Sequence, residues 1–130
     1  MIKINSILMI VLAGVLLVLG GCRSNPVMNV DDAAIVINQN HTERDIKKAI
    51  ITASQSLGWQ MKEQKPGVLE GKLFLRKHVA VIGIHYDKTK YSIKYKDSTN
   101  LNYDGVNIHS NYNGWIQNLH RGIQTQLSTL

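Results

Sequence analysis

The sequence predicts an α+β fold, a two-layer sandwich in which two helices cover one face of a four-stranded antiparallel sheet. Apolar residues recur at helical spacing in residues 46–57 and again in residues 112–127. Between these segments, residues 59–96 alternate between apolar and polar side chains, with turn residues at three places. A chain of 130 residues has room for one small domain. The helices and the sheet must therefore cover each other, in the order αββββα.

The first helix is predicted to run from about Glu43 to Leu57. Thr42 followed by Asp45 resembles a weak capping box, and Gly58 supplies a stop after the last turn. The apolar face of this helix consists of Ile46, Ala49, Ile50, Ala53 and Leu57.

Four strands are predicted, at residues 59–62, 68–75, 78–86 and 91–96. The register follows from three pairs: Gln64 with Val68, Leu75 with His78, and Tyr86 with Tyr91. With these pairs all three hairpins present apolar residues on the same face, and a slip of one residue would exchange the faces. The predicted core face carries Trp59, Met61, Leu69, Leu73, Ala80, Ile82, Ile84, Ile93 and Tyr95.

The opposite face is predicted to be solvent-exposed and basic. It carries Gln60, Lys62, Glu70, Lys72, Phe74, Val79, Val81, His85, Ser92, Lys94 and Lys96. Lys62 and Glu70 are directly opposed, which predicts a cross-strand ion pair. Because charge and apolar area coincide there, we predict a docking surface for an acidic partner at Lys62, Lys72, Phe74, Lys94 and Lys96. The alternative is that the segment before the first helix, or a second subunit, covers the apolar side chains.

The second helix is predicted to begin after a cap at Ser110 or Asn111. Its apolar positions are Tyr112, Trp115 or Ile116, Leu119, Ile123 and Leu127. Residues 95–115 combine aromatic rings with amides and carboxylates, the groups that bind glycans and peptides. The candidate binding residues there are Asp97, Asn100, Tyr103, His109, Tyr112 and Asn113. The alternative is that these side chains cap the turn and the helix or pack beneath it.

Neither a metal site nor a cofactor is predicted. His78 and His85 are an odd number of residues apart on one strand, so they point to opposite faces. His109 and His120 are eleven residues apart, whereas paired ligands on a helix are three or four apart.

The sequence lacks the familiar motifs for a serine nucleophile or for phosphate binding. An enzyme would require Asp97, Ser98 and His109 to converge in space. We therefore predict a non-enzymatic protein. The alternative is a small hydrolase or lyase with its site in the loop before the second helix.

The N-terminal residues are predicted to form a signal peptide. Lys3 precedes the apolar stretch Ile7–Gly21, whose 15 residues fall short of the roughly 20 that span a membrane. The stretch ends in Leu19-Gly20-Gly21-Cys22, which resembles the lipobox of bacterial lipoproteins. The resemblance implies that Cys22 becomes a diacylglyceryl thioether, that residues 1–21 are removed, and that the new N-terminus is usually acylated. Cys22 is the only cysteine, so the folded part would contain no disulfide and no catalytic thiol.

The chain then divides into a signal peptide at residues 1–21, the lipidated Cys22 with a flexible tether at residues 22–40, and one domain at residues 41–130. The polar composition of residues 23–40 predicts the tether, within which Ala33–Ile37 could add an edge strand. Removing residues 1–21 takes away one charged residue, Lys3, and lowers the net charge from +6 to +5. The positive field favours anionic components of the cell envelope.

The predicted partners are the membrane, through the lipid on Cys22, and an envelope protein, peptidoglycan or an anionic glycolipid. Nucleic acid is not predicted, because the protein would be exported. Arg23 stands where the best-known inner-membrane retention signal of bacterial lipoproteins has Asp, so the resemblance implies the outer membrane. The rest of the chain resembles small proteobacterial envelope lipoproteins in general pattern, which implies no particular site residue.

Overall fold

The computed structural model describes residues 23–37 and 40–130, so the predicted signal peptide and Cys22 lie outside the described residues. The elements are β1 (Ser24–Pro26), β2 (Val30–Ala34), α1 (Glu43–Ser56), β3 (Gln60–Lys65), β4 (Val68–Leu75), β5 (His78–Tyr86), β6 (Lys90–Thr99), β7 (Asn107–His109) and α2 (Ser110–Leu127). Neither helix in this part of the chain is long and apolar enough to cross a membrane.

Five strands form one antiparallel sheet in the order β2-β6-β5-β4-β3, and β1 pairs with β7 in a separate two-stranded ribbon. The predicted α+β class is confirmed. The predicted four-stranded sheet is one strand short, and the predicted order αββββα omits β1, β2 and β7. All three missing strands are short and pair with partners far away in the sequence.

Helix α1 begins with the predicted capping box. The backbone N–H of Asp45 donates to Thr42 Oγ1 over 3.2 Å, and the backbone N–H of Thr42 donates to Asp45 Oδ2 over 3.0 Å. The hydrogen bond from the Thr42 backbone N–H, with a second from its hydroxyl to the same Oδ2, holds the pKa of Asp45 below its usual range. The chain leaves the helix at Gly58, whose φ of +89° is a conformation that glycine adopts readily.

The predicted register is confirmed along most of the β3–β6 meander. The observed pairs include Met61 with Gly71, Leu73 with Ala80, Ile84 with Ile93 and Ile82 with Tyr95. At the first turn, however, Val68 pairs with Lys65 rather than Gln64, because Pro66 and Gly67 form a two-residue turn and the register shifts at Gln64. A second shift lies near Lys96, and β6 continues to Thr99 beyond its predicted end.

Both helices pack on the predicted core face of the sheet. Trp59, Leu69, Leu73, Ala80, Ile82, Ile84 and Ile93 are buried there, while Met61 and Tyr95 are half-buried. Helix side chains complete the cluster with Ile46, Ile50, Tyr112, Ile116, Leu119 and Ile123. Gly71 also faces this core, where a Cβ would lie 2.7 Å from Met61 Cε, so glycine makes room for the methionine.

The prediction of a flexible tether is wrong for residues 24–34, which contain β1 and β2. Val30 is buried and pairs with Ile93, so β2 forms the edge of the sheet beside β6. The strand is Val30–Ala34 rather than the Ala33–Ile37 segment left open by the sequence. The Asn- and Asp-rich composition masks apolar side chains that pack against the core, namely Val27, Met28, Ala33, Ile35 and Ile37. Their burial explains why the segment is part of the fold.

Candidate functional site

The face of the sheet opposite the helices, called the open face below, brings the predicted docking residues together across three strands. Lys62, Glu70, Lys72, Phe74, Val79, Val81, Lys94 and Lys96 belong to it. Lys62 pairs with Glu70 across β3 and β4. The same row of cross-strand pairs continues from Glu70 through Gly83 of β5 to Lys94 of β6. A second row joins Phe74, Val79 and Thr99 at one end of the sheet.

Glu70 is the electrostatic centre of the open face. Lys96 Nζ donates a hydrogen bond to Glu70 Oε2, and Lys72 Nζ lies 3.8 Å from Glu70 Oε1. The hydrogen bond from Lys96, together with the charges of Lys96, Lys72 and Lys62, holds the pKa of Glu70 below its usual range. The predicted Lys62–Glu70 ion pair is therefore corrected: the two residues are opposed in register, but Lys96 and Lys72 make the salt bridges.

Strand β2 brings acidic residues to the other side of the open face. Lys94 Nζ makes a salt bridge with Asp31, and Lys90 Nζ lies 3.8 Å from Asp32 Oδ1. Ser92, predicted to face solvent, is buried beside β2, where its Oγ accepts a hydrogen bond from the Asp32 backbone N–H over 2.9 Å. Lys94 and Lys96 are thus both ion-paired, and Asp31 and Asp32 add negative charge beside the face that the sequence predicts to be basic.

The apolar part of the open face lies towards the β4–β5 turn. Phe74 is 57% exposed, and Val79 and Val81 beside it are half-buried. A large exposed aromatic side chain next to further apolar groups is typical of contact surfaces. Phe74 is therefore the residue of the predicted docking set whose surroundings most clearly fit binding.

The polar candidates of the loop before α2 have structural hydrogen bonds. Asp97 lies in β6 and accepts from the backbone N–H of Ser98 over 2.8 Å. Asn100, with φ of +58°, donates from Nδ2 to the Lys77 carbonyl over 2.8 Å. Asn113 donates from Nδ2 to the Pro26 carbonyl and accepts at Oδ1 from the Met28 backbone N–H, each over 2.9 Å. These bonds agree with the structural alternative for the loop.

The tyrosines of this region pack together. The ring centroids of Tyr95 and Tyr103 are 4.1 Å apart, and the Tyr103 hydroxyl donates to the Gly105 carbonyl over 3.1 Å. Tyr112 is fully buried beneath them, and burial raises the pKa of its hydroxyl. Its hydroxyl has no hydrogen-bond partner among the described residues. Tyr112 therefore belongs to the core rather than to a binding surface.

His109 is the N-cap of α2, a role that the sequence assigned to Ser110 or Asn111. Its Nδ1 accepts from the Asn111 backbone N–H over 3.2 Å, which requires a deprotonated Nδ1. Its ring lies 6.3 Å from the ring of His78, and the His78 ring lies 6.2 Å from Trp115. The sequence contains no signal for this cluster, because His78 lies 31 residues before His109. Within residues 23–37 and 40–130, no three metal-ligating side chains lie close enough to hold an ion.

Neither a protein-family model nor a curated protein matches this chain.

Proposed function

We propose that the protein is a lipid-anchored, non-enzymatic component of the bacterial cell envelope that binds an envelope protein through the open face of its sheet. Peptidoglycan and an anionic glycolipid are the other ligands that the test below would detect. The anchor is the lipid expected on Cys22 of the Leu19-Gly20-Gly21-Cys22 motif. Several acyl chains on one cysteine residue would hold the protein stably on a bilayer.

The observation that supports the binding role is the exposed Phe74 beside Val79 and Val81, with Lys72 directly opposite Val81. Apolar contact would supply affinity, while Lys62 and Lys72 would favour a partner with acidic groups near its own apolar patch. A protein surface offers both features together, which is why we favour a protein over a glycan. The outer membrane is the proposed location, because Arg23 follows the lipobox cysteine.

A non-enzymatic role is also favoured by the hydrogen bonds of the loop before α2. Asp97, Asn100 and Asn113 each bond to backbone groups, so their side chains already serve the fold. A hydrolase or lyase would need such groups to face a substrate instead.

The anchor is tested by Cys22→Ser. We expect the variant to remain unprocessed or to be released from the membrane, because serine cannot form the thioether. Detergent phase partitioning and intact mass measure this directly. A Cys22→Ser protein that is of mature size and still firmly membrane-bound would contradict the anchor. Co-fractionation of the parent protein with inner-membrane markers on a density gradient would contradict the outer-membrane location.

The binding face is tested by Phe74→Ser in the lipidated protein. We expect crosslinking to its envelope partner to fall several-fold, with little change in thermal unfolding, because the ring is mostly exposed. The matched control is Val36→Ser, since Val36 is 85% exposed but lies beyond the opposite end of β5. An unchanged crosslinking pattern for well-folded Phe74→Ser would exclude this face.

A further inference from the structure

The chain joins the folded domain at Arg23, immediately after the lipobox cysteine. The Arg23 carbonyl accepts a hydrogen bond from the Ser110 backbone N–H over 2.9 Å. The next residue, Ser24, pairs with His109 in the β1–β7 ribbon. Successive Cα atoms are about 3.8 Å apart, so a lipid on Cys22 would be attached one residue from the fold. The 18-residue tether predicted after Cys22 would have let the domain move away from the bilayer. With the fold beginning at Arg23, a lipid on Cys22 would instead hold one end of the domain at the bilayer surface.

The β4–β5 turn lies at the same end of the molecule. The His109 ring next to Ser24 lies 6.3 Å from the His78 ring, and His78 Nδ1 is 2.7 Å from the Asn100 carbonyl oxygen. Asn100 in turn donates to the Lys77 carbonyl. These contacts connect the first described residues of the chain to the turn formed by Arg76 and Lys77.

The surface at this end combines cationic and apolar side chains. Arg23, Arg76 and Lys77 are exposed, and Leu75 beside them is 44% exposed. The carboxylate of Asp104 lines one surface depression together with Arg23, and it already accepts hydrogen bonds from the backbone N–H groups of Val106 and Asn107. Exposed arginine and lysine with an adjacent apolar side chain is the composition that binds the headgroup region of an anionic bilayer.

We infer that this end, defined by Arg23, Leu75, Arg76 and Lys77 and called the anchor-side end, rests on the membrane and contacts anionic lipid headgroups. The inference depends on the proposed lipid at Cys22. The β5 strand runs from the anchor-side end over nine residues, roughly 30 Å, to the β5–β6 turn at Lys88. The sheet would therefore stand on the bilayer with its open face directed sideways.

Two single-cysteine variants test the orientation. Cys22 is the only cysteine of the chain and the thioether would consume it, so one introduced cysteine gives a unique labelling site. Lys77→Cys and Lys88→Cys are matched, because both replace exposed lysines in hairpin turns at opposite ends of β5. Each lipidated variant is labelled with a fluorophore and inserted into phosphatidylglycerol–phosphatidylethanolamine vesicles that contain a quencher-bearing lipid. We expect quenching to be several-fold stronger at position 77 than at position 88.

The outcomes separate this inference from the proposed anchor. If the protein carries no lipid mass and does not float with vesicles, the anchor fails. If it floats but both labels are quenched equally, or position 88 is quenched more, the orientation fails and the anchor stands.

The headgroup contact is tested with the label at position 77 and the additional change Arg76→Gln. We expect reduced quenching on anionic vesicles, and the same reduction when phosphatidylcholine replaces phosphatidylglycerol. Arg44→Gln, an exposed change on α1, is the control and should leave quenching as it is in the parent. Quenching that is unaffected by Arg76→Gln and by the lipid composition would overturn the anionic-headgroup contact.

Discussion

The two faces of the sheet differ in what holds their side chains in place. On the helix-covered face, Leu69, Ile82, Ile84 and Ile93 are completely buried, and apolar contact accounts for their positions. On the open face, Lys96 reaches Glu70 across β5, Lys94 reaches Asp31 on the adjacent strand, and Phe74 is mostly exposed. Burial of apolar area stabilises far more than exposed ion pairs do. Stability should therefore be concentrated on one face, which leaves the other tolerant of the residues that binding requires.

The sharpest test compares two adjacent residues of β5. Ile82→Ala should lower the free energy of unfolding by about 2–5 kcal/mol, because it leaves a cavity between the sheet and the helices. Val81→Ala, one residue earlier and half-buried on the open face, should cost about 1 kcal/mol. Denaturant titrations of both variants measure the difference. Equal losses would show that the two faces contribute alike.

The next effect concerns the N-terminal segment, which joins the helix-covered side through Asn113. Asn113→Ala removes hydrogen bonds to Pro26 and Met28 and should cost about 1–3 kcal/mol, because a partly buried backbone N–H is left without its partner. Hydrogen exchange at the Met28 amide should accelerate with it. Asn118→Ala on the exposed side of the same helix is the control, with a cost below about 0.5 kcal/mol. Unchanged exchange at Met28 would mean that Asn113 does not hold the segment.

The sequence predicts the meander well and the N-terminal segment poorly, for a physical reason. The hairpins pair residues close in sequence, so turn chemistry and alternation determine register, as Leu75 and His78 illustrate. Strand β2 pairs Val30 with Ile93, more than sixty residues away, and five residues of mixed polarity contain no signal for that pairing. The same limitation applies to the candidate site. The sequence places the lysines on the correct face, but Asp31, the ion partner of Lys94, lies on a strand that it does not predict.

A smaller effect should appear as a pH dependence of stability on the helix-covered side. The Tyr91 hydroxyl is hydrogen-bonded to His120 Nδ1 over 2.8 Å, and burial raises the pKa of Tyr91 to about 12, so the hydroxyl keeps its proton. Burial lowers the pKa of His120 from its usual 6.5. As the pH falls through 6.5 the unfolded chain takes up a proton before the folded one, so the free energy of unfolding declines until the lower folded pKa is passed.

Thermal or denaturant unfolding between pH 5 and 7.5 measures this decline, and His120→Gln should flatten it. The open face should respond at more acid pH. Because the pKa of Glu70 is lowered in the folded protein, the stability that its ionised carboxylate contributes is fully present above pH 4.5. This stability is lost as the pH falls through the pKa of the folded state. If His120→Gln left the slope between pH 5 and 7.5 unchanged, this histidine would not be its source.

The smallest effect is expected from the ion pair between Lys94 and Asp31. This pair tests whether the open face contributes little to stability. Both side chains are largely exposed, so solvent and salt screen their attraction, and Lys94→Ala should cost less than about 1 kcal/mol. Strand β2 does not depend on this pair, because Val30 pairs with Ile93 and Asn29 Oδ1 accepts from the Tyr95 backbone N–H. A double-mutant cycle with Asp31→Asn at low and high salt measures the coupling, which should shrink as salt is added. A salt-independent coupling free energy as large as the stability lost in Ile82→Ala would contradict this. It would show that the open face stabilises the fold as much as the helix-covered face does.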